Sequence, residues 1–385
     1  MTRWRPQEYR LRAKAAGIPA SIIKSALDTA RITHWVDADL PPIFTLRHLA
    51  HLADVEYGLL RTIVRRKDKD AYRLFRIRKR PSRTGERRYR LIAVPCNGLM
   101  QVQRWIHHRI LAHAQPHAAS VAYEKGSKLV EAAGTHRDAR WLIKLDIVNF
   151  FESINEISVF RTFRGLGYQP LVAFELARIC TRLHSDVRKA PVGEKWRVLS
   201  RSQTISAYDV ARMGHLPQGA PTSPMLANLA VYELDEALQE VADAFGLTYT
   251  RYADDLAFST SSDFDLARCR QVIGKIHRSL AEHGFRPNHA KTMVVRPGDR
   301  KIVLGLLVDG PKPRLTRDFR AKMRQHLYFL EKPNVGPVRH AKRREFSSVI
   351  GMRHHLFGLA HFAGQIYPAY GAELLARLKA IPWPL

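Results

Sequence analysis

Tyr252, Ala253, Asp254 and Asp255 constrain this chain more than any other four residues, because they set two adjacent carboxylates at the tip of a hairpin. The flanks, residues 247–251 and 256–259, are rich in aromatic, β-branched and aliphatic side chains, so both read as strands with a turn between them. Neighbouring Asp side chains repel, and a fold that keeps both ionised in one place ordinarily offsets the charge with cations. Asp-Asp is also a common turn dipeptide, so the pair alone leaves a plain surface turn equally open.

A second strand reads WLIKLDIVNFF over residues 141–151. Trp141, Ile143, Leu145 and Ile147 occupy one face, and Leu142, Lys144 and Asp146 the other. A carboxylate on so apolar a strand needs a cation or a donor, since desolvation otherwise neutralises it. Lys144, two residues away on the same face, is one candidate partner, and a surface position for Lys144 is the other reading. A third segment, LPQGAPTSPMLAN over residues 216–228, has the grammar of a loop entering a helix. Ser223 is the expected N-cap and Pro224 the first helical residue. Leu226, Leu229, Leu234, Leu238 and Val241 continue one helical stripe until Gly246. Gly219 permits close approach of a base or sugar to the backbone, and Gln218 offers donors and an acceptor. An ordinary capped helix explains the same residues.

Taken in order, LDIVNFF, LPQGAPTSPMLAN and YADD resemble the palm of a reverse transcriptase of the bacterial retron type. The resemblance runs through almost the whole chain. Residues 79–95 are similar to that family's fingers hairpin, with Gln103, Arg104, Trp105 and Ile106 on the helix after it. Gly284, Phe285, Asn288 and Lys291 look like its fourth palm motif, and residues 303–309 (VLGLLVD) like the hairpin that grips the primer end. The implied fold class is α+β, a right-hand polymerase with fingers, a palm of antiparallel sheet plus helices, and a helical thumb. The implied domains are an N-terminal helical extension at 1–55, fingers at 56–140, palm at 141–310 with a polar insertion at 184–215, and thumb at 311–385.

The resemblance implies phosphoryl transfer, in which a primer 3′ hydroxyl attacks the α-phosphate of a deoxynucleoside triphosphate. Two Mg2+ ions, with Mn2+ able to substitute, would be held by the catalytic residues Asp146, Asp254 and Asp255, with help from the Ile147 carbonyl. Asp146 and Asp254 would bridge the ions, and Asp255 would be the more tolerant member. Lys79, Arg90, Phe151, Gln218 and Lys291 would bind the dNTP. Phe151 would exclude a ribose 2′ hydroxyl, Lys79 and Arg90 would hold the triphosphate, and Lys291 would protonate or neutralise the pyrophosphate. Leu304 and Gly305 would form the primer grip. Each has a plainer reading, as core for Phe150 or Phe151, as a template-phosphate contact for Lys79 or Arg90, and as a solvated face for Lys291.

Charge points to the same partner. The 63 Lys and Arg against 35 Asp and Glu give a formal net charge of +28, and the excess is clustered. Residues 61–90 carry 14 basic and three acidic side chains, and residues 312–344 carry 11 and two, so both flanks of the palm suit a polyanion. Expected partners are a noncoding RNA template, the DNA product and dNTPs, with an effector protein or a second copy as candidates. No membrane and a bacterial cytoplasmic location are expected, because no apolar run of membrane length or signal peptide occurs. Cys96, Cys180 and Cys269 are too scattered for a disulfide framework, and the 18 His show no zinc spacing.

The sequence departs from the retron pattern in three places. Ala132, Ala133, Gly134, Thr135, His136 stands where the family begins with Asn-Ala, and Val303, Leu304, Gly305 stands for its Val-Thr-Gly. The 184–215 segment is longer and more polar than the hairpin expected there. An RNA-directed DNA polymerase copying a dedicated noncoding RNA, with a role in bacterial anti-phage defence implied by the family likeness, is therefore the reading expected; a group II intron-like reverse transcriptase and an RNA-binding module with little turnover are the alternatives.

Overall fold

The computed structural model describes residues 4–66, 71–78, 89–123, 126, 128–183 and 213–384. Eleven strands occur among them, in chain order β1 Tyr72–Arg78, β2 Tyr89–Pro95, β3 Trp141–Asp146, β4 Arg182–Leu183, β5 Gly214–His215, β6 Thr248–Tyr252, β7 Asp255–Thr260, β8 Met293–Val295, β9 Ile302–Val303, β10 Leu306–Leu307 and β11 Arg314–Leu315. They form four antiparallel sheets. The central one has the order β6-β7-β3-β8, β1 pairs with β2, β4 with β5, and β11-β10-β9 make a small third sheet.

The central sheet is covered on both faces, which explains the continuous apolar run of β3. Ile143 and Leu145 of β3, with Leu256 and Phe258 of β7, enter a large core shared with the N-terminal and palm helices. Leu142 and Ala257, on the opposite face, join a second core built from β9–β11 and the C-terminal helices. Tyr249 and Phe258 are cross-strand partners with stacked rings 4.6 Å apart. Such a pair adds about 1 kcal/mol to the burial of the rings themselves.

Helix Leu266–Glu282 is capped by Asp265, whose side chain accepts from the Arg268 amide at 2.7 Å, and Gly284 follows with φ +79. Helical periodicity in the sequence predicts one helix along the Leu226–Val241 stripe and one over residues 339–366, and both are divided. The stripe from Leu226 to Val241 is carried by Ser223–Ala230 and Tyr232–Ala244, with non-helical dihedrals at Val231. Thr222, not Ser223, is the N-cap, because its carbonyl already accepts the Leu226 amide at 3.1 Å. In the C-terminal region Arg317–Glu331 is one helix, but residues 339–366 are split into Gly336–Arg343 and Val349–Ile366, and Pro368–Ala380 adds a further helix. Glu345, with φ +55, interrupts the second expected helix. No described helix is long and apolar enough to cross a membrane.

The expected polar insertion lies outside the described residues over 184–212. Its ends are paired, Arg182 with His215 and Leu183 with Gly214. The buried Glu156 carboxylate holds that base, accepting from the Gly214 amide at 3.1 Å and from Arg178 Nε at 3.2 Å, with Arg66 as a further ion-pair partner.

Candidate active site

The last residue of β3 and the first of β7 are direct partners across the ladder, so Asp146 stands opposite Asp255. Pairing of Tyr252 with Asp255 leaves Ala253 and Asp254 as a two-residue hairpin loop. Ala253 takes φ +55, a left-handed conformation that suits the twist of a tight hairpin. The Ile147 amide then bonds the Asp254 carbonyl at 2.9 Å, fastening the loop to the end of β3. Three carboxylates thus converge from two strand ends.

Asp146 is only 5% exposed. Asn288 Nδ2 donates to its Oδ1 at 2.8 Å, and the Lys291 ammonium pairs with its Oδ2. Asn288 also donates its amide to the Asp146 carbonyl at 2.8 Å, so the turn before β8 is tied to β3 through both backbone and side chain. Asp146 thus takes Asn288 and Lys291 as partners, rather than Lys144, which the sequence offered as one candidate. Lys144 instead acts on Asp255, where its positive charge favours the ionised carboxyl.

Burial, then the Asp146 charge, pushes the Asp254 carboxyl above its ordinary range, while Lys291 and Arg90 pull it back. Asp255 is also raised, first by desolvation and then by Asp254. Burial first and the neighbouring carboxylates second thus oppose ionisation of this pair. Hard oxygen donors in that state fit a divalent cation, and Asp146 with Asp254 would be its carboxylate ligands.

Around the carboxylates, Phe150 is buried against Phe285 at 5.9 Å, and Phe151 is half-buried and faces Tyr123 at 6.4 Å. Arg90 on β2 is exposed and within electrostatic reach of Asp254. Lys79 lies outside the described residues. Gln218 donates to Glu152 at 2.8 Å, and its carbonyl accepts the Ala93 amide at 2.7 Å. Gly219, at φ +108, has its open side against β2, where an added Cβ would stand 2.8 Å from Ile92 Cγ2. Here the close approach that needs a glycine is made by β2, whereas the sequence suggested a base or sugar. Leu304 and Gly305, both at positive φ, form the two-residue loop between β9 and β10. They line a cavity of about 360 Å³ together with Lys144, Thr250, Tyr252 and Asp255.

Sequence reasoning missed the support beneath the turn. Arg251 is fully buried and bidentate to Asp235, with Nε to Oδ1 at 2.7 Å and Nη2 to Oδ2 at 2.6 Å. Its Nη1 reaches Asn228 Oδ1 at 3.1 Å and the Ala253 carbonyl at 3.3 Å. An arginine inside an apolar strand was the available signal. His136 is also buried, between Ser259 Oγ and Thr250 Oγ1, each at 2.7 Å, so it joins β6 to β7 from below. Elsewhere, Asp37, Asp39 and His113 bring three ligand atoms within 4.8 Å of one another, an arrangement the sequence did not suggest.

A family profile described as reverse transcriptase (RNA-dependent DNA polymerase) matches residues 77–314, more than half of the chain. The retron Ec86 reverse transcriptase of Escherichia coli is 27% identical over 303 residues, covering 79% of this chain and 83% of that protein. The retron Mx162 enzyme of Myxococcus xanthus is 29% identical over 313 residues, 78% of this chain and 59% of its own length. The Mx65 enzyme of the same organism is 29% identical over 347 residues, 88% and 72%. Among solved structures, telomerase from Candida albicans in complex with a fragment of telomeric RNA overlaps 82% of this chain and 62% of its own, with TM-score 0.43 and 12% identity. A foamy viral protease-reverse transcriptase with double-stranded DNA overlaps 80% and 44%, with TM-score 0.40 and 14% identity.

Proposed function

Because the chain belongs to the reverse transcriptase (RNA-dependent DNA polymerase) family, we propose that Asp146, Asp254 and Asp255 are the centre at which it copies a dedicated noncoding RNA into DNA. The enzyme is an RNA-directed DNA polymerase of retron type, with the α+β right-hand fold of its family. Divalent-metal dependence belongs to that family in general, and two Mg2+ ions are the proposed form of it here. The observation that carries the assignment is the opposition of Asp146 and Asp255 across one ladder, with Asp254 in the loop fastened to it.

Bound divalent ions would acidify the primer 3′ hydroxyl and stabilise the leaving pyrophosphate oxygens. Asp146 and Asp254 would hold them, with the Ile147 carbonyl assisting and Asp255 supplying further negative charge. Lys291, paired with Asp146, would be the base that meets a triphosphate oxygen. Arg90 would take a phosphate by its planar fork, and Lys79 another as a point charge. Gln218 orients the loop beside β2, and Phe151 would press on C2′ of the incoming sugar. Leu304 and Gly305 would rest on the primer end, which the open cavity beside Asp255 accommodates. The proposed setting is bacterial anti-phage defence, with the RNA, its DNA copy and dNTPs as partners.

Incorporation of labelled deoxynucleotide on an RNA template with Mg2+ tests the assignment. Wild type should incorporate, and the Asp254→Asn, Asp255→Asn double variant should not. Equal signal from the two overturns it. Sequencing the nucleic acid that copurifies tests the dedicated RNA, since one recurrent RNA-DNA species is expected and a random sample of cellular RNA opposes it.

A further inference from the structure

We propose that Tyr123 is a specificity-determining residue, whose ring backs Phe151 and completes the wall that selects deoxyribose over ribose. The inference rests on the reading of Phe151 given above. Tyr123 has φ +67, a left-handed conformation that a side chain other than glycine adopts only when its surroundings impose it. Those surroundings are well defined. Arg251 donates its amide to the Ala119 carbonyl at 2.7 Å and accepts the Val121 amide at 2.9 Å, so residues 119–121 run along the strand that carries the acidic hairpin. Asn228 Nδ2 then donates to the Ala122 carbonyl at 2.7 Å, and Ala122 is fully buried. Three hydrogen bonds from two site-forming segments therefore hold the chain up to the residue before Tyr123.

What they present is an aromatic ring at the site. The Tyr123 ring lies 6.4 Å from Phe151 and 6.1 Å from Tyr252, both tilted, so it spans the gap between the proposed sugar gate and the acidic hairpin. It remains 40% exposed, so the ring is not there to fill the core. Burial first, then Tyr252 and Asp254, push the Tyr123 hydroxyl above its ordinary range, while Arg90 and Arg251 pull it back, so the ring stands within electrostatic reach of the acidic hairpin. A steric gate discriminates by a clash of fractions of an ångström, and a half-buried Phe151 can yield that distance unless something stands behind it. Phe150, at 5.5 Å, and Tyr123 are the aromatic neighbours of Phe151 among the described residues, and Tyr123 acts as a positioning residue through Phe151.

The test compares kcat/KM for dNTP and the matching rNTP on an RNA template in wild type, Tyr123→Ala, Tyr123→Phe, Phe151→Ala and the Tyr123→Ala, Phe151→Ala pair. Alanine keeps the same backbone demand as tyrosine at φ +67, so the Ala variant isolates the ring. Tyr123→Ala should lower the deoxy preference about tenfold or more, chiefly by improving rNTP use. Tyr123→Phe should stay within about threefold of wild type. In the Phe151→Ala background, Tyr123→Ala should add less than about twofold, which a general loss of folding would not produce. If Phe151→Ala loses selectivity while Tyr123→Ala keeps it, or if the two losses multiply, the inference on Tyr123 alone is overturned. If Phe151→Ala keeps wild-type selectivity, the reading of Phe151 fails and the inference falls with it.

Discussion

Asp235→Asn offers the sharpest test of how the acidic hairpin is held. In the wild type, both Asp235 oxygens are taken by Arg251 and neither side chain is exposed. Tyr249 also donates to Oδ1, at 2.8 Å. Burial alone opposes the Arg251 charge, and the hydrogen bonds and charge of Asp235 more than reverse that opposition. An Asn in this place removes the countercharge and turns an amide NH2 toward a guanidinium that can only donate. Leaving such a charge buried and unpaired costs about 3–5 kcal/mol, a large part of the ~5–15 kcal/mol that holds a domain folded. Tyr249→Phe, which removes one hydrogen bond to the same carboxylate, should cost only about 1–2 kcal/mol. Urea unfolding of the purified proteins reads both. The Arg251→Met, Asp235→Leu pair then separates stability from positioning. An apolar pair of similar volume should recover most of the lost stability. DNA synthesis should remain depressed, because the Ala253 carbonyl has lost its donor. An Asp235→Asn protein within about 1 kcal/mol of wild type and equally active would refute the reasoning.

Asp254→Asn should reduce nucleotide incorporation about a thousandfold or more, the loss of several kcal/mol of charge stabilisation. It should also make the fold more stable at pH 7: the Asp254 carboxyl is raised in the folded state, so that state loses stability as pH rises and the group ionises, and the neutral amide escapes this. Burial lowers His136 to about 4 from 6.5, so its contribution is intact above 6.5 and is lost as pH falls toward 4, by up to ~3 kcal/mol; denaturation midpoints across that range should fall less steeply in His136→Asn. Gly219→Ala would put Cβ 2.8 Å from Ile92 Cγ2 and 3.1 Å from the Ala93 carbonyl at φ +108, costing about 1–3 kcal/mol in urea unfolding and raising the dNTP KM. RNA affinity should fall linearly in log-log form with salt, and a flat response would oppose a role for the basic stretches.

What could be read in the sequence and what could not divide along the range of the interactions involved. The strands bearing Asp146 and Asp255 announce themselves locally, through β-branched and aromatic runs that meet a carboxylate, and the fold then needs only one ladder to bring them together. The cap at Asp265 and the turn at Gly284 are local in the same sense, because a side-chain oxygen or a missing Cβ acts on amides three residues away. Whether Val231 lets one helix continue, or Glu345 lets another, depends on the surfaces each half covers, and periodicity runs unbroken across both. Gly219 illustrates the limit best, since its sequence signal reported a close approach without saying to what, and Ile92 of β2 is 127 residues earlier in the chain. Arg251 is the converse case. Its immediate neighbours make it look misplaced, and only the packing of helix Tyr232–Ala244 on β6 supplies the Asp235 that makes a buried guanidinium tolerable. A charged residue that contradicts its own strand is thus a pointer to a long-range partner, and beside a hairpin of two carboxylates that partner is where the rigidity of the site originates.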